Sequence, residues 1–202
     1  SDRTTQLLYA INASTGRAMP IGPMNLSAVW SLVYDANSDV LYGFDVNIER
    51  LAVFDPSTGN VASVLGPSGT RDVLGLAFDP NSDVLYGVTP WSDRLYRFNT
   101  TTGAATAVGP LHTPAMQGLA FDPVSNVLYG TDYLTDRLYS INTLTGRATE
   151  IGPLHAPDIY GLTFVTPAAP VPEPASACLL GLGGLGVIGY RWRRKRKSQL
   201  AA

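Results

Sequence analysis

Short apolar runs separated by polar turns recur along most of the chain. In the stretch 75–111, four strand-like runs occupy positions 76–78, 84–88, 95–98 and 104–108. The segments between them are rich in Asp, Asn, Ser, Thr, Pro and Gly, which are the residues that favour turns. The pattern therefore predicts four short β-strands that are joined by tight turns.

The same pattern occurs three times in full, at residues 31–67, 75–111 and 118–154. Equivalent positions keep step, since Tyr86 and Tyr129 are 43 residues apart. A period of about 40–45 residues that holds four strands is typical of a β-propeller blade. A β-sandwich would not repeat in sequence, and the rungs of a solenoid are usually shorter. The sequence therefore predicts an all-β fold, namely a β-propeller of four-stranded blades.

Within each repeat, the residue types suit the expected place of each strand. The inner runs are apolar on both faces, as is expected when neighbouring blades cover both faces of a sheet. The fourth run is small and half polar, which suits an outer strand. The hairpins before it end on Gly59, Gly103 and Gly146, where we expect a left-handed backbone because glycine adopts it without a clash.

Incomplete repeats flank the full ones within the predicted repeat region, residues 1–165. Residues 7–22 match only the third and fourth runs, and residues 160–164 match only the first. We expect these two ends to contribute to one shared blade that lacks its second strand, which leaves the ring incomplete. Because Ser1 is not Met and no signal peptide precedes the repeats, our hypothesis is an N-terminally truncated piece of a longer precursor.

The composition changes abruptly after the repeats. Residues 166–174 form a Pro-rich linker, residues 175–190 carry no charge, and residues 191–202 begin with six cations in seven positions. The uncharged stretch approaches the ~20 residues that span a bilayer as a helix, and the flanking Tyr190 and Trp192 favour the membrane interface. We predict a transmembrane helix with a cytoplasmic basic tail. The alternative, a buried core helix, fits the adjacent cations poorly.

Three features of this C-terminal region occur in a recognisable order. The motif Val171-Pro172-Glu173-Pro174 precedes the apolar stretch, which is followed by a cluster of cations: Arg191, Arg193, Arg194, Lys195, Arg196 and Lys197. This arrangement resembles the PEP-CTERM sorting signal of Gram-negative bacteria. The resemblance implies that an exosortase, a membrane-embedded cysteine peptidase, removes the tail from a precursor anchored in the inner membrane. The body is then exported or attached at the cell surface.

Charge and cysteine content narrow the range of partners. All 16 acidic residues precede the apolar stretch, together with only 8 of the 14 basic residues. An acidic body argues against nucleic acid as a partner, because phosphates attract cations. The single cysteine, Cys178, lies in the apolar stretch, so the repeats contain no disulfide.

The loops at one end of the predicted propeller carry the candidate functional residues. The candidate ligand-binding residues are His112, His155, Trp91, Tyr133, Arg94 and Arg137. The same face would gather further charged residues: Asp45, Glu49, Arg50, Asp93, Asp132 and Asp136. The alternative is that repeat copying duplicated loop residues that have no task. Two histidines without placed carboxylates do not define a metal site, and the Asp-rich turns lack the Gly and Glu of a calcium loop, so we expect no metal and no cofactor.

Two classes of function remain open at this stage. The first is an exported, non-enzymatic binding or structural module that associates with extracellular polysaccharide or another envelope component; the polysaccharide is implied by the family resemblance alone. The second is a lyase or hydrolase of the propeller type that uses His112 and His155. Aromatic residues within the strands, such as Tyr86 and Tyr139, are interpreted as core rather than as a carbohydrate platform.

Overall fold

The computed structural model describes residues 5–113, 115–156 and 159–164, which form fourteen β-strands and no helix. The strands are β1 (Leu7–Ile11), β2 (Ala18–Pro23), β3 (Val29–Asp35), β4 (Val40–Asp45), β5 (Arg50–Phe54), β6 (Val61–Pro67), β7 (Gly75–Asp79), β8 (Val84–Thr89), β9 (Arg94–Phe98), β10 (Ala105–Pro110), β11 (Met116–Asp122), β12 (Val127–Asp132), β13 (Arg137–Ile141) and β14 (Ala148–Pro153).

Strands that are consecutive in sequence pair with each other in antiparallel sheets. Strands β1 and β2 form the first sheet, β3–β6 the second, β7–β10 the third and β11–β14 the fourth. Each four-stranded sheet arises from one full repeat, which confirms the strand pattern predicted for the repeats. In each of them the apolar first run lies at one edge and the small, half-polar fourth run at the other.

The turns begin and end the strands where the sequence predicts them. The Oδ1 atom of Asp79 accepts hydrogen bonds from the backbone N–H groups of Asn81 (2.9 Å) and Ser82 (3.2 Å), which stabilises the turn between β7 and β8. The hairpin glycines have the expected left-handed backbone, with φ of 75° at Gly59 and 81° at Gly103. Local turn chemistry therefore sets the register of each sheet.

Apolar side chains fill the spaces between neighbouring sheets. Leu8 of the first sheet packs in a cluster with Phe54 of the second. Phe44 of the second sheet meets Phe98 of the third edge to face, with ring centroids 6.0 Å apart. Tyr86 is buried between the third and fourth sheets, as its interpretation as a core residue predicts. Because burying one such side chain contributes about 1.5–3 kcal/mol, sheet-on-sheet packing dominates the stability of this region.

The inner strands surround a central channel. Equivalent residues of four inner runs, Leu32, Leu76, Leu119 and Leu162, line one cavity of about 330 Å³. The segment 159–164 is not paired as a strand, yet it continues this series beside the fourth sheet. It therefore occupies the place of an inner run, whereas the first sheet supplies only the two strands that match a third and a fourth run.

The linker, the predicted transmembrane helix and the basic tail lie outside the described residues. Within the described ranges, no helix is long and apolar enough to cross a membrane.

Candidate binding site at the channel mouth

One end of the channel is surrounded by the residues that lie two positions before the equivalent leucines of the four inner runs. These four equivalent residues are Trp30, Leu74, Gln117 and Tyr160. They also line the narrower part of the channel that leads towards the cavity deeper between the sheets. The repeat thus delivers one variable side chain per inner run to the same channel end, which we call the mouth.

The mouth opens into a cavity of about 730 Å³ whose lining includes four aromatic residues, Trp30, Trp91, Tyr133 and Tyr160. Trp91 is 76% exposed, Tyr160 50% and Trp30 42%. The rings of Tyr133 and Tyr160 pack against each other at an angle of 39°, with centroids 5.7 Å apart. Among the described residues of the lining, Asp72 is the one that carries a charge. Large exposed apolar patches are rare on monomeric soluble proteins, and they commonly mark sites that bind a ligand or a partner.

The loops that carry the mouth residues are fixed by a buried aspartate. Asp132 is fully buried and lies next to Tyr133 in the turn after β12. Its Oδ2 accepts a hydrogen bond from the N–H of Ala115 at 2.7 Å, and its Oδ1 accepts from the N–H groups of Leu134 and Thr135, both at 3.0 Å. The carboxylate therefore ties the turn that holds Tyr133 to the loop that enters the fourth sheet.

The other sheets hold the same turn with related chemistry. Asp45 is 1% exposed and accepts a hydrogen bond from the N–H of Ala28 at 3.2 Å. In the third sheet Thr89 takes this position, and its hydroxyl accepts a hydrogen bond from the N–H of Ser92 at 3.3 Å. Asp45 and Asp132, both placed on this face by the sequence, are thus buried turn residues rather than ligand-facing carboxylates.

The structure brings only part of the predicted site together. Trp91 and Tyr133 line the mouth, whereas His112, His155, Arg94 and Arg137 are not among the residues that line it. Trp30 and Tyr160, which sequence reasoning missed, line it instead. Their shared phase in the repeat was the available signal, because each directly precedes a run that faces the channel.

The two histidines occupy a position that the backbone explains. The φ angle is 61° at His112 and 56° at His155, and the equivalent residues are Asn25 (53°) and Gly69 (74°). This left-handed turn position favours Gly and Asn. Both histidine side chains are exposed, and the backbone N–H of His112 donates to Oδ2 of Asp93 at 3.2 Å. His112 and His155 therefore occupy equivalent turn positions, and the shared backbone conformation accounts for their equivalence.

An arginine begins the third strand of each four-stranded sheet, as expected. Arg137 forms an ion pair with Glu150, and Glu49 pairs with Arg71 at 3.4 Å. Since these side chains are substantially exposed, each pair contributes about 0–1 kcal/mol. Arg94, at the start of β9, is exposed. Arg94 and Arg137 lie at strand starts, Glu150 lies on an outer strand, and Glu49 and Arg71 lie in loops. None of them is among the described residues that line the mouth.

The aspartates of the Asp-rich turns accept hydrogen bonds from groups within the same turn. Asp122 accepts a hydrogen bond from the N–H of Val124 at 2.8 Å and another from the hydroxyl of Ser125. The Ser125 hydrogen bond lowers the pKa of the Asp122 carboxyl from its usual value. Among the described residues, no three His, Cys, Asp or Glu side chains come together as a group that could hold a metal ion.

Comparison with known proteins identifies the C-terminal segment. Residues 170–196 match the family model of the PEP-CTERM protein-sorting motif. The chain carries a PEP-CTERM sorting signal. This confirms the resemblance found in the sequence. A PEP-CTERM signal implies a membrane-anchored precursor in a Gram-negative envelope, processing by exosortase and export towards the surface.

Solved structures show the fold of the repeats that precede the PEP-CTERM signal. A chain in the crystal structure of a nidogen/laminin complex is 18% identical, with a TM-score of 0.62 over 79% of this chain and 60% of that chain. Virginiamycin B lyase from Staphylococcus aureus is 12% identical, with a TM-score of 0.55 over 80% of this chain and 53% of its own. No curated protein matches the sequence. The β-propeller architecture predicted from the repeats is thereby confirmed, and the chain spans between half and two thirds of these neighbours.

Proposed function

We propose that this exported propeller is a non-catalytic binding module whose mouth takes the sugar rings of an extracellular polysaccharide. The observation that supports it is the aromatic lining of the mouth, in which Trp30, Trp91, Tyr133 and Tyr160 surround one open cavity. Flat aromatic faces cover the apolar faces of pyranose rings, and the polar edges of tyrosine can hydrogen-bond to hydroxyl groups. An open cavity suits a chain-like ligand that enters and leaves at its sides.

The polar groups of the mouth are few and mostly neutral. Gln117 is 8% exposed and offers both a donor and an acceptor, while Asp72 offers acceptors only. A few placed polar groups in an apolar lining are what orients a bound ligand. This lining suits hydroxyl-rich rings, whereas a phosphate group would meet no cation among those lining residues that the structure describes.

The enzymatic alternative receives no support from the described residues. His112 and His155 are exposed turn residues that do not line the mouth, so the described residues bring no acid–base pair to the cavity. The likeness to a lyase at 12% identity concerns the fold, and chemistry depends on site residues rather than on the fold. We therefore favour binding over catalysis.

Removing a mouth tryptophan is expected to weaken polysaccharide binding. We expect Trp91→Ala and Trp30→Ala each to raise the dissociation constant roughly 10–30-fold, because truncating a central aromatic residue commonly costs about 2 kcal/mol. The measurement is isothermal titration of the full chain in detergent with purified extracellular polysaccharide from the producing bacterium. Circular dichroism of each variant reports whether the sheets remain folded.

Two matched controls separate the mouth from the rest of the surface. Leu144→Ala removes an apolar side chain that is 80% exposed in a hairpin, and its affinity should equal that of the unchanged protein. The double variant His112→Ala/His155→Ala should also bind normally. Unchanged affinity in both tryptophan variants, or lost binding in the histidine variant alone, would refute the proposal.

A further inference from the structure

The aromatic lining of the mouth contains one carboxylate. Four aromatic residues line the cavity: Trp30, Trp91, Tyr133 and Tyr160. The rings of Tyr133 and Tyr160 are inclined by 39°, with centroids 5.7 Å apart, so these two rings form a corner rather than a flat platform. Asp72 is the acidic residue of the described lining, which includes no Lys, Arg or His. The mouth therefore combines the negative faces of aromatic rings with a negatively charged side chain.

The third sheet carries this acid at a different position from the second and fourth sheets. In those two sheets, a buried aspartate in the turn after the second strand accepts a hydrogen bond from the backbone N–H of an alanine; the pairs are Asp45 with Ala28 and Asp132 with Ala115. In the third sheet, Thr89 occupies the turn position and Asp72 occupies the position of the alanine. The acid of the third sheet thus lies in the lining of the mouth rather than in a buried turn.

The carboxylate of Asp72 is available to a ligand. Asp72 is half-buried, and no described residue donates a hydrogen bond to its side chain or forms an ion pair with it. The neighbouring cation, Arg71, instead pairs with Glu49, whose Oε1 lies 3.4 Å from the arginine Nε. A partly desolvated carboxylate beside aromatic rings is stabilised by any cation that enters the same cavity.

Packing within the described residues places Asp72 at the mouth. Val73, the next residue, is fully buried in the apolar cluster that joins the second and third sheets. The other side of the third sheet packs against the fourth, where Tyr86 and Leu119 share a cluster. Trp91 also belongs to the third sheet, in the turn that follows β8. The sheet that contributes both Asp72 and Trp91 is therefore held on both of its faces.

We propose that the mouth binds a positively charged amino group on a sugar ring, so that its polysaccharide ligand carries free amines. This inference rests on the proposed function and narrows its ligand class. An ammonium group is attracted to the face of a Trp or Tyr ring within about 6 Å of its centroid. An amino sugar offers an apolar ring face for stacking together with an ammonium group, so a single ligand uses both the aromatic residues and Asp72.

The charge of the repeats also favours a cationic polysaccharide over an acidic one. All 16 acidic residues of the chain precede residue 175, together with 8 of the 14 basic residues. A negatively charged body raises the local concentration of a cationic polymer and lowers that of an anionic one. A polysaccharide rich in carboxylate or sulfate groups would be repelled by the body and by Asp72 alike.

Three tetrasaccharides with the same linkage test the inference, because they differ in only one substituent of each ring. Oligomers of glucosamine, N-acetylglucosamine and glucose carry an ammonium, a neutral amide and a hydroxyl group at that position. Isothermal titration uses the full chain in detergent at about pH 5.5, where a sugar amine is protonated. The glucosamine oligomer should bind at least about tenfold more tightly than either neutral oligomer, since ring faces and carboxylate both attract its amines.

A pair of matched variants assigns this preference to Asp72. Asp72→Asn removes the charge and keeps the shape, and asparagine tolerates the left-handed backbone that Asp72 adopts with a φ of 49°. It should lower the affinity for the glucosamine oligomer to that for the neutral oligomers. Asp83→Asn is the control, because Asp83 is exposed, has a φ of 57° and lies at the other end of the same sheet. It should keep the full preference, and circular dichroism should show both variants folded.

The inference and the proposed function can fail separately. Equal affinities, no binding of the glucosamine oligomer, or a preference that persists in Asp72→Asn would overturn the inference. A lysine tripeptide that binds as tightly as the glucosamine oligomer would also overturn it, because the mouth would then recognise charge alone. Oligosaccharides released from the producing bacterium's extracellular polysaccharide distinguish the two failures. If they bind equally before and after N-acetylation of their free amines, the inference alone is wrong; if they do not bind at all, the binding function is wrong as well.

Discussion

Gly109→Ala is expected to lower the free energy of unfolding by about 3 kcal/mol, because inserting atoms into a packed interface forces its surroundings apart. A Cβ at Gly109 would overlap the carbonyl oxygen of Thr145, which belongs to the hairpin of the next sheet. That oxygen is a backbone atom and cannot rotate away as a side chain would. The third and fourth sheets would therefore have to separate locally.

Gly152→Ala provides the matched control for this effect. Gly152 is the equivalent residue of the fourth sheet, and a Cβ there meets no atom of the described residues within 4 Å. We expect its stability to stay within about 0.5 kcal/mol of the unchanged protein. In thermal unfolding followed by circular dichroism, Gly109→Ala should melt roughly 6–12 °C lower and Gly152→Ala should not shift. Equal shifts in the two variants would show that the glycine contact does not hold the sheets together.

Asp132→Ala is expected to destabilise the protein by about 3 kcal/mol, since a buried donor that loses its acceptor costs about 1–3 kcal/mol. The side chain is fully buried and accepts hydrogen bonds from three backbone N–H groups. The largest part of this cost falls on the N–H of Ala115, because Ala115 is 2% exposed and water cannot easily replace the carboxylate as its acceptor. The turn that carries Tyr133 would also lose its tie to the adjoining loop, so ligand affinity should fall together with stability.

Two further substitutions show whether the acceptor is what matters. Asp132→Thr copies Thr89, which serves the same position in the third sheet, and Asp132→Asn keeps one carbonyl acceptor. Urea unfolding should give both variants a smaller loss than Asp132→Ala. If alanine is tolerated as well as threonine, the hydrogen bonds of this carboxylate contribute little, and the turn is held by packing alone.

Much of the fold follows from local rules that one repeat displays in full. Asp79 and its turn, the left-handed Gly103 and the small outer run at 104–108 can each be assigned from residue type, because their chemistry acts over a few positions. Because the repeats are similar, an assignment made in one repeat applies to the equivalent residues of the others. The sheets and their strand order are therefore predictable from the sequence, and so is the position of the sorting signal.

The candidate site was less predictable because it depends on where the sheets lie around the channel. Trp30 and Tyr160 are far apart in sequence and line the same cavity only because their inner runs surround one axis. Conversely, His112 and His155 attract notice as a rare and repeated residue type, yet their position is explained by a left-handed turn. The rarity of a residue type predicted the candidate site less well than the position of each residue in the repeat.

The mouth and the sorting signal together give a consistent account of the protein. The PEP-CTERM segment directs export, and the repeats build a propeller whose frame is nearly constant while one residue per inner run varies at the mouth. Trp30, Leu74, Gln117 and Tyr160 occupy equivalent positions of the repeat, differ in residue type, and all line the mouth.

The most direct test of this account is the response of the tryptophan indole signals to the ligand. The chain contains three tryptophans, so a ¹H–¹⁵N correlation spectrum of the full chain in detergent should show three indole N–H peaks, assignable by Trp→Phe variants. Oligosaccharides released from the producing bacterium's extracellular polysaccharide should shift the peaks of Trp30 and Trp91 and leave that of Trp192 unchanged. Trp30 and Trp91 peaks that stay in place at saturating oligosaccharide would contradict the account.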